Sequence, residues 1–243
     1  MLLVVFLFPY IWLVSSSFKP AGEIFAVPPR LLPAQPTLDN FARIVGRADI
    51  QRFFLNSAII AAVTVSLNVL FSSAAAYALT TFRFRGQRLL TLVTQLFPAV
   101  IIVIPLYRLW ASLGLLNTYQ ALVFTYVAVT LPLGVWMLSG YMRTLPFEVV
   151  EAALVDGCNR VQLFTTIVAP LARPGIAATA VYVMLVSWNE FIYAVTFTSA
   201  KEMRTVSAGL YGFLGEMVYD YHLLLAMAVL MAVPVAIVFL FLQ

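Results

Sequence analysis

The chain of 243 residues is 63% hydrophobic and only 10% charged, with a mean hydropathy of +0.99. Soluble domains are roughly 45–50% apolar and about 25% charged, so this composition excludes an ordinary soluble protein and indicates a multi-span membrane protein. The net charge of +4 therefore bears on orientation in a lipid bilayer and does not point to nucleic acid.

Apolar stretches recur along the whole chain. A transmembrane helix needs about 20 mostly apolar residues, and six stretches meet or nearly meet this length: 1–18, 56–80, 89–110, 119–140, 174–197 and 221–243. They are apolar on every face, whereas strands of a membrane β-barrel alternate over segments of about ten residues. Helices satisfy their own backbone hydrogen bonds within lipid. We expect an all-α polytopic membrane protein, with residues 1–243 forming a single domain.

The first stretch, 1–18, differs from a signal peptide because it lacks a basic start and leads into a proline-rich loop instead of a cleavage site. We interpret it as a membrane span. The first and last spans coincide with the ends of the sequence, without the basic residues that usually flank a span, so we expect short tails beyond both.

The loop 19–55 contains five prolines followed by TLDNFARIV. Thr37 or Asp39 can cap a short helix there, with Phe41 and Ile44 on one face. We expect an ordered segment outside the membrane.

Basic residues do not decide the orientation of the chain. If the N-terminus is inside, six arginines fall on the inner side and eight basic residues on the outer side. Only the stretch TFRFRGQR, with Arg83, Arg85 and Arg88 between spans two and three, favours an inside position by its local density.

A polar segment, 141–173, separates spans four and five. Pro146 suits the first turn of a helix over 147–156, Gly157 suits a left-handed C-cap, and a second helix over 159–169 is ended or bent by Pro170. The pattern predicts two short helices joined at one glycine.

The first of these helices is acidic. Glu148 and Glu151 share a face, and Ala152 and Ala153 leave room for a close neighbour. One interpretation is a loop lying on the membrane surface with its acids in water. Interfacial helices usually carry lysine and arginine, so the acids favour a protein partner.

Spacing in this segment carries a family resemblance. Glu151-Ala152-Ala153 is followed after three residues by Gly157, and nine residues later by Ile167-Val168-Ala169-Pro170. This resembles the cytoplasmic signature of the inner-membrane permease subunits of binding-protein-dependent ABC importers, with Ala169 where the pattern has leucine. The resemblance implies a loop that couples the permease to ATPases. Its candidate residues are Glu148, Glu151, Ala152, Ala153, Asp156, Gly157, Arg160, Ile167 and Pro170.

Further segments, including SSSFKPAGEIF, PTLDNFARI and SWNEFIYA, resemble the carbohydrate-uptake branch of that family and its maltose-permease-like second subunit. The resemblance implies a sugar importer in a bacterial or archaeal cell (inner) membrane. The implied partners are a second permease subunit, two ABC ATPase subunits holding ATP and Mg, and an extracytoplasmic solute-binding protein. It also implies an N-terminus inside and a cytoplasmic loop 141–173.

Glu190 is an ionisable residue within the predicted fifth span. A carboxylate in a membrane is costly and is by default a functional hypothesis. Asn189 and Tyr193 are four apart, which places them on one helix face, and Trp188 adds a second aromatic ring. These residue types suit a sugar, so we take Trp188, Asn189, Glu190 and Tyr193 as the candidate substrate pathway. The alternative is a packing contact with the second permease.

Catalysis by this chain is not expected, because it has no GxxxxGK[ST] phosphate loop and only one histidine and one cysteine. We expect no catalytic residues, no metal site and no cofactor on the chain itself. An ABC importer of a non-sugar solute stays open as an alternative. An ATP-independent secondary transporter is more remote, since such proteins show repeats and interrupted helices with ion ligands.

Overall fold

The computed structural model describes residues 2–82, 99–216 and 220–242, and in these ranges the regular structure is helical. We number the helices in chain order. They are α1 (Leu2–Ser17), α2 (Ala21–Ile24), α3 (Asp39–Val45), α4 (Ala48–Thr81), α5 (Ala99–Ser112), α6 (Tyr119–Met142), α7 (Phe147–Val155), α8 (Arg160–Leu171), α9 (Arg173–Asn189), α10 (Ile192–Phe197), α11 (Val206–Glu216) and α12 (Tyr221–Leu242).

Three of the described helices, α4, α6 and α12, are long and apolar enough to cross a bilayer, and α8 with α9 makes a fourth candidate if that bent pair is one span. Two shorter apolar helices fall at the other predicted positions, within α1 and α5. A helical protein with several membrane-spanning segments is therefore confirmed, and the count of six spans stays a prediction. The first part of the predicted third span and the arginines of TFRFRGQR lie outside the described residues.

The loop 19–55 is ordered by a buried lysine. Lys19 Nζ donates to the carbonyl of Arg30 at 2.7 Å and lies 4.5 Å from the ring centre of Trp12. Asn40 of α3 donates to the carbonyls of Ser17 and Lys19, each at 2.8 Å. These bonds hold α3 against the end of α1.

The predicted short helix in this loop is present as α3, and Ile44 is fully buried on it. Of the two predicted caps, Thr37 contributes a bond, because its Oγ1 accepts from the N–H of Asp39, the first residue of α3, at 3.1 Å. The N-cap position itself is Leu38, which makes no side-chain hydrogen bond. The predicted second span, 56–80, lies within α4. Helix α4 begins at Ala48, so about two turns of it precede the apolar stretch.

The centre of the fold is α4 packed against α6 and α9. Asn68 of α4 donates to Thr130 Oγ1 of α6 at 2.8 Å, a polar contact of the kind that joins helices within a membrane. Gly134 lies beside it, where a Cβ atom would come within 2.7 Å of Asn68 Oδ1 and 3.3 Å of Ser72 Cβ. The glycine therefore lets the two helices approach closely at a polar contact.

The predicted fifth span is not one continuous helix. Helix α9 ends at Asn189, Glu190 has extended backbone angles, and α10 starts at Ile192. This break corrects the prediction of a single helix over 174–197, and it places Glu190 at the junction of two helices.

Candidate functional site

The segment 147–171 forms two helices that are joined through Gly157. We call this segment the coupling element, after the role that the sequence predicts for it. Gly157 has φ +88°, in the left-handed region that favours glycine. The N–H of Gly157 donates to the carbonyl of Leu154 at 3.2 Å, and that of Cys158 to Ala153 at 3.0 Å. These two bonds form a Schellman motif, so the end of α7 is closed by its own backbone.

A capping box starts α8. Asn159 Oδ1 accepts from the N–H groups of Val161 and Gln162 at 3.0 and 2.9 Å, and Gln162 Oε1 accepts from the N–H of Asn159 at 3.0 Å. The Asn-x-x-Gln spacing was readable in the sequence and was missed there. With the glycine motif on one side and this box on the other, the connection is rigid without help from a partner.

Helix α8 contains a wide π turn over Leu163–Val168, which ends two residues before Pro170. Pro170 was predicted to end or bend this helix; α8 continues one residue past it, to Leu171, and then meets α9 at an angle. Proline has no N–H to donate in a helix interior, and π turns often occur at functional sites. Helices α8 and α9 meet at 76°, so α8 lies across the direction of the span.

The acidic side chains of the coupling element face outward. Glu148, Glu151 and Asp156 are exposed, and within the described ranges none of these carboxylates has an ion pair or hydrogen bond. Among the other candidates, Arg160 is also exposed. Unpaired acids on a rigid, exposed helix form a surface that can receive another protein.

The two alanines point in different directions. Ala152 is exposed, but Ala153 is buried with Leu163, Val168 and Ala172. Ile167 packs on the same cluster. The prediction that both alanines admit a partner is therefore corrected, because Ala153 brings α7 close to this chain's own α8 and only Ala152 is available outside.

Helix α4 holds the coupling element from the membrane side. The rings of Tyr77 and Phe164 lie 5.1 Å apart, and the Tyr77 hydroxyl donates to the carbonyl of Arg160 at 3.3 Å. Since α4 is central to the fold, this contact joins α8 directly to the centre of the helical bundle.

The second candidate site is the break between α9 and α10. Glu190 Oε2 accepts from the Tyr126 hydroxyl at 2.8 Å and from the N–H of Ala194 at 3.0 Å, while Oε1 accepts from the N–H of Tyr193 at 2.9 Å. The carboxylate thus satisfies the free N–H groups at the start of α10. The free-energy cost of placing this carboxylate in the membrane is therefore offset by hydrogen bonds within the chain itself.

The residues around Glu190 are separated by this break. Trp188 is 2% exposed and donates to the carbonyl of Met231 at 2.9 Å, and Tyr193 is likewise 2% exposed. Asn189 is exposed and donates to the carbonyl of Leu185 at 2.9 Å. Asn189 and Tyr193 do not share a helix face as predicted, because the helix ends between them. Of the four, Asn189 is the side chain that faces outward.

A charge cluster lies at the start of α4, outside the apolar stretch. Asp49 pairs with Arg47 at 2.7 Å and with Lys201 at 3.1 Å. The Arg47 guanidinium, with a smaller effect from Lys201, holds the pKa of Asp49 well below its usual range. The cluster fastens the loop after α10 to α4. Within the described residues no group of three or more histidine, cysteine or acidic side chains is placed to hold a metal ion.

Comparisons with known proteins agree with this architecture. Residues 68–243 match the family described as the binding-protein-dependent transport system inner membrane component. The diacetylchitobiose uptake system permease protein NgcG of Streptomyces coelicolor is 36% identical over 97% of this chain and 80% of its own length. The trehalose/maltose transport system permease protein MalG of Thermococcus litoralis is 35% identical over 99% of this chain and 88% of its own.

A crystal structure of a bacterial ABC transporter that imports the acidic polysaccharide alginate shares the fold, with a TM-score of 0.81 over 98% of this chain and 90% of that chain at 22% identity. The family match covers well over half of the sequence and two relatives exceed 30% identity along nearly all of it. The chain is therefore a member of the inner-membrane component family of binding-protein-dependent transport systems.

Proposed function

We propose that this chain is the permease subunit of an ATP-driven importer of mono-, di- or oligosaccharides in a bacterial or archaeal cell (inner) membrane. The sugar-uptake names of relatives that align over nearly its full length support this substrate class. As a transport component, the chain moves solute without catalysing a reaction.

The proposed assembly contains a second permease subunit, two ABC ATPase subunits and an extracytoplasmic solute-binding protein. ATP and Mg belong to the ATPases, and the two permeases enclose the sugar pathway. The family description supports the binding protein.

The exposed acids of the coupling element carry the proposed attachment to an ATPase. A ligand shifts a conformational equilibrium only by interacting differently with its two states, so nucleotide binding needs a stiff link to the spans. The Schellman motif, the capping box and the Tyr77 contacts supply that stiffness. Glu148, Glu151, Ala152 and Asp156 then form the surface that meets the ATPase.

For the substrate pathway we propose a division of roles at the helix break. Asn189 faces the solute, while Glu190 keeps α10 offset from α9. Trp188 and Tyr193 hold the two helices in position from their buried sites.

The test of the proposed function is ATP hydrolysis by the complete transporter with and without sugar-loaded binding protein. We expect the tagged chain to co-purify its ATPase, and Glu151→Lys to abolish that association or the stimulation by binding protein. Glu202→Lys is a matched control, since Glu202 is an exposed acid on the loop after α10. Normal coupling in Glu151→Lys would contradict attachment at the coupling element.

Orientation is tested by labelling with a membrane-impermeant thiol reagent. Cysteines introduced at Gln35 and Glu202, both exposed, are expected to react from outside the cell, whereas native Cys158 reacts only after the membrane is opened. The reverse pattern would place the coupling element outside and contradict the proposal.

A further inference from the structure

A cavity of about 490 Å³ opens at the ends of α10 and α11, on the side of the helix break remote from the coupling element. Its lining includes Thr198, Ser199, Arg204, Tyr211 and Gly212. The cavity is distinct from the four candidate pathway residues. Its volume lies within the range of about 300–1,000 Å³ that is usual for small-ligand sites.

Arg204 brings an unpaired charge to this cavity. Its side chain has no ion pair or hydrogen bond within the described part of the chain. The guanidinium lies over Gly212, where a Cβ atom would come within 2.9 Å of Nη1. Since no described residue accepts from the guanidinium, its five N–H donors can bind a ligand.

The backbone of Arg204 is held firmly. Asn56 of α4 donates to the carbonyls of Glu202 and Arg204, each at 2.8 Å, and Asn56 Oδ1 accepts from the Tyr119 hydroxyl at 2.7 Å. The cavity wall on this side is therefore pre-organised, which lowers the ordering cost of binding.

An aromatic ring and hydroxyl groups complete the lining. Tyr211 is 57% exposed, and its ring rests edge-on against Phe191 at 5.2 Å, next to the helix break. Ser199 Oγ is fixed by Asn117, because it donates to Asn117 Oδ1 at 3.2 Å and accepts from Asn117 Nδ2 at 3.1 Å, which leaves one lone pair. Tyr211 thus offers a supported apolar face, and Ser199 retains capacity to accept a hydrogen bond.

We propose that this cavity is a carbohydrate subsite, in which Arg204 donates two parallel N–H bonds to adjacent sugar oxygens and Tyr211 packs on the ring. This inference rests on the proposed function, and it assigns to this chain a direct sugar contact apart from Asn189. The planar fork of arginine matches paired oxygens. Those oxygens are either two vicinal hydroxyls or one carboxylate or sulfonate of an acidic sugar.

The experiment measures sugar uptake by the complete transporter in proteoliposomes with excess binding protein. The probes are diacetylchitobiose, maltose and trehalose as neutral sugars and an alginate trisaccharide as the acidic one. The variants are Arg204→Met, Arg204→Lys, Tyr211→Ala and Tyr211→Phe. Arg52→Met is the matched control, because Arg52 is an exposed arginine on α4 away from the cavity lining.

We expect Arg204→Met to reduce uptake about tenfold or more, since a hydrogen bond to a charged group is commonly worth at least that factor. Uptake by Arg204→Lys is expected to lie between those of wild type and Arg204→Met, because lysine retains the charge but lacks the planar guanidinium with its paired donors. Tyr211→Ala is impaired and Tyr211→Phe is near wild type, while Arg52→Met matches wild type. A loss confined to the alginate probe assigns an anionic group to the site, and a loss with neutral probes assigns vicinal hydroxyls.

Two results would overturn the subsite alone: Arg204→Met transporting every probe at the wild-type rate, or its defect being explained by weaker docking of the binding protein in a direct binding assay. A wild-type transporter that hydrolyses ATP with its partners and imports a non-sugar solute, but no mono-, di- or oligosaccharide, would overturn the proposed sugar function, and the subsite with it. Co-purification of both permeases and the ATPases establishes that each variant is assembled.

Discussion

The acids of the coupling element and the acid at the break in span five have opposite surroundings. Glu148, Glu151 and Asp156 are exposed and have no partner in the described part of the chain. The carboxylate of Glu190 accepts three hydrogen bonds from its own chain. The first group is therefore available to bind another protein, whereas the carboxylate of Glu190 is already occupied by hydrogen bonds that hold the fold.

The comparison also separates two kinds of stiffness. The turn that joins the two helices of the coupling element is closed by bonds between residues at most five apart, at Gly157 and Asn159. The break at Glu190 is in addition bonded to distant parts of the chain, to Tyr126 on α6, 64 residues away, and to Ser207 on α11. A local element can move as one body when its partner moves, while the break changes shape only if α6 and α9 change their packing.

Glu190→Ala gives the largest expected effect. It leaves the Tyr126 hydroxyl and two backbone N–H groups without their acceptor, and unsatisfied groups of this kind cost about 1–3 kcal/mol. We expect reduced thermal stability of the assembled complex and loss of uptake together. The unfolding temperature and the rate of sugar uptake, measured on the same preparation, test this expectation.

Two milder variants sharpen that result. Glu190→Gln keeps one acceptor oxygen, and Tyr126→Phe removes only one of the three bonds, so both are expected to fall between wild type and Glu190→Ala in stability. If Glu190→Ala instead lost uptake at full stability, Glu190 would act on the solute, and the contrast with the coupling element would disappear.

Gly157→Ala has a smaller expected effect, confined to coupling. No atom lies within 4 Å of a Cβ at Gly157, so the cost comes from the backbone alone, at about 1–2 kcal/mol for a left-handed residue. The chain should relieve this backbone strain by changing the angle between α7 and α8. We expect assembled complexes whose ATP hydrolysis responds weakly to loaded binding protein.

Gly140→Ala is the matched control for that variant. Gly140 is exposed and also has open space around a Cβ, but it lies within α6 and lacks a positive φ. Alanine there is expected to be neutral or to stabilise the helix by about 0.5–1 kcal/mol. Equal effects at the two glycines would show that the left-handed backbone at Gly157 has no role in coupling.

The same contrast explains what could be predicted from sequence. Gly157, Pro146 and the acids signal their structure within a few residues, so two helices joined at a glycine were predictable. The break at Glu190 lies inside an apolar run whose pattern predicts a continuous helix, and the residues that bind Glu190 from other helices, Tyr126 and Ser207, are distant in the sequence. The outward and inward directions of Ala152 and Ala153 likewise depend on how α7 packs against α8. Orientation could not be read from charge, because basic residues are almost balanced between the two sides.

Asp49 is an intermediate case, because its carboxylate is surface-located yet paired with Arg47 and Lys201. Surface pairs contribute about 0.2–1 kcal/mol, so Asp49→Asn is expected to lower the unfolding temperature only slightly.

The stability that Asp49 contributes depends on pH, because its partners depress the pKa of Asp49 in the folded state. This stability is fully present above the pKa of an unfolded aspartate, about 3.9. It declines as the pH falls below that value towards the lower folded pKa. The difference in unfolding temperature between wild type and Asp49→Asn should therefore be constant from about pH 5 to pH 8 and shrink below about pH 4. A difference that vanished already at pH 6 would mean that the pair does not hold the loop after α10 to α4.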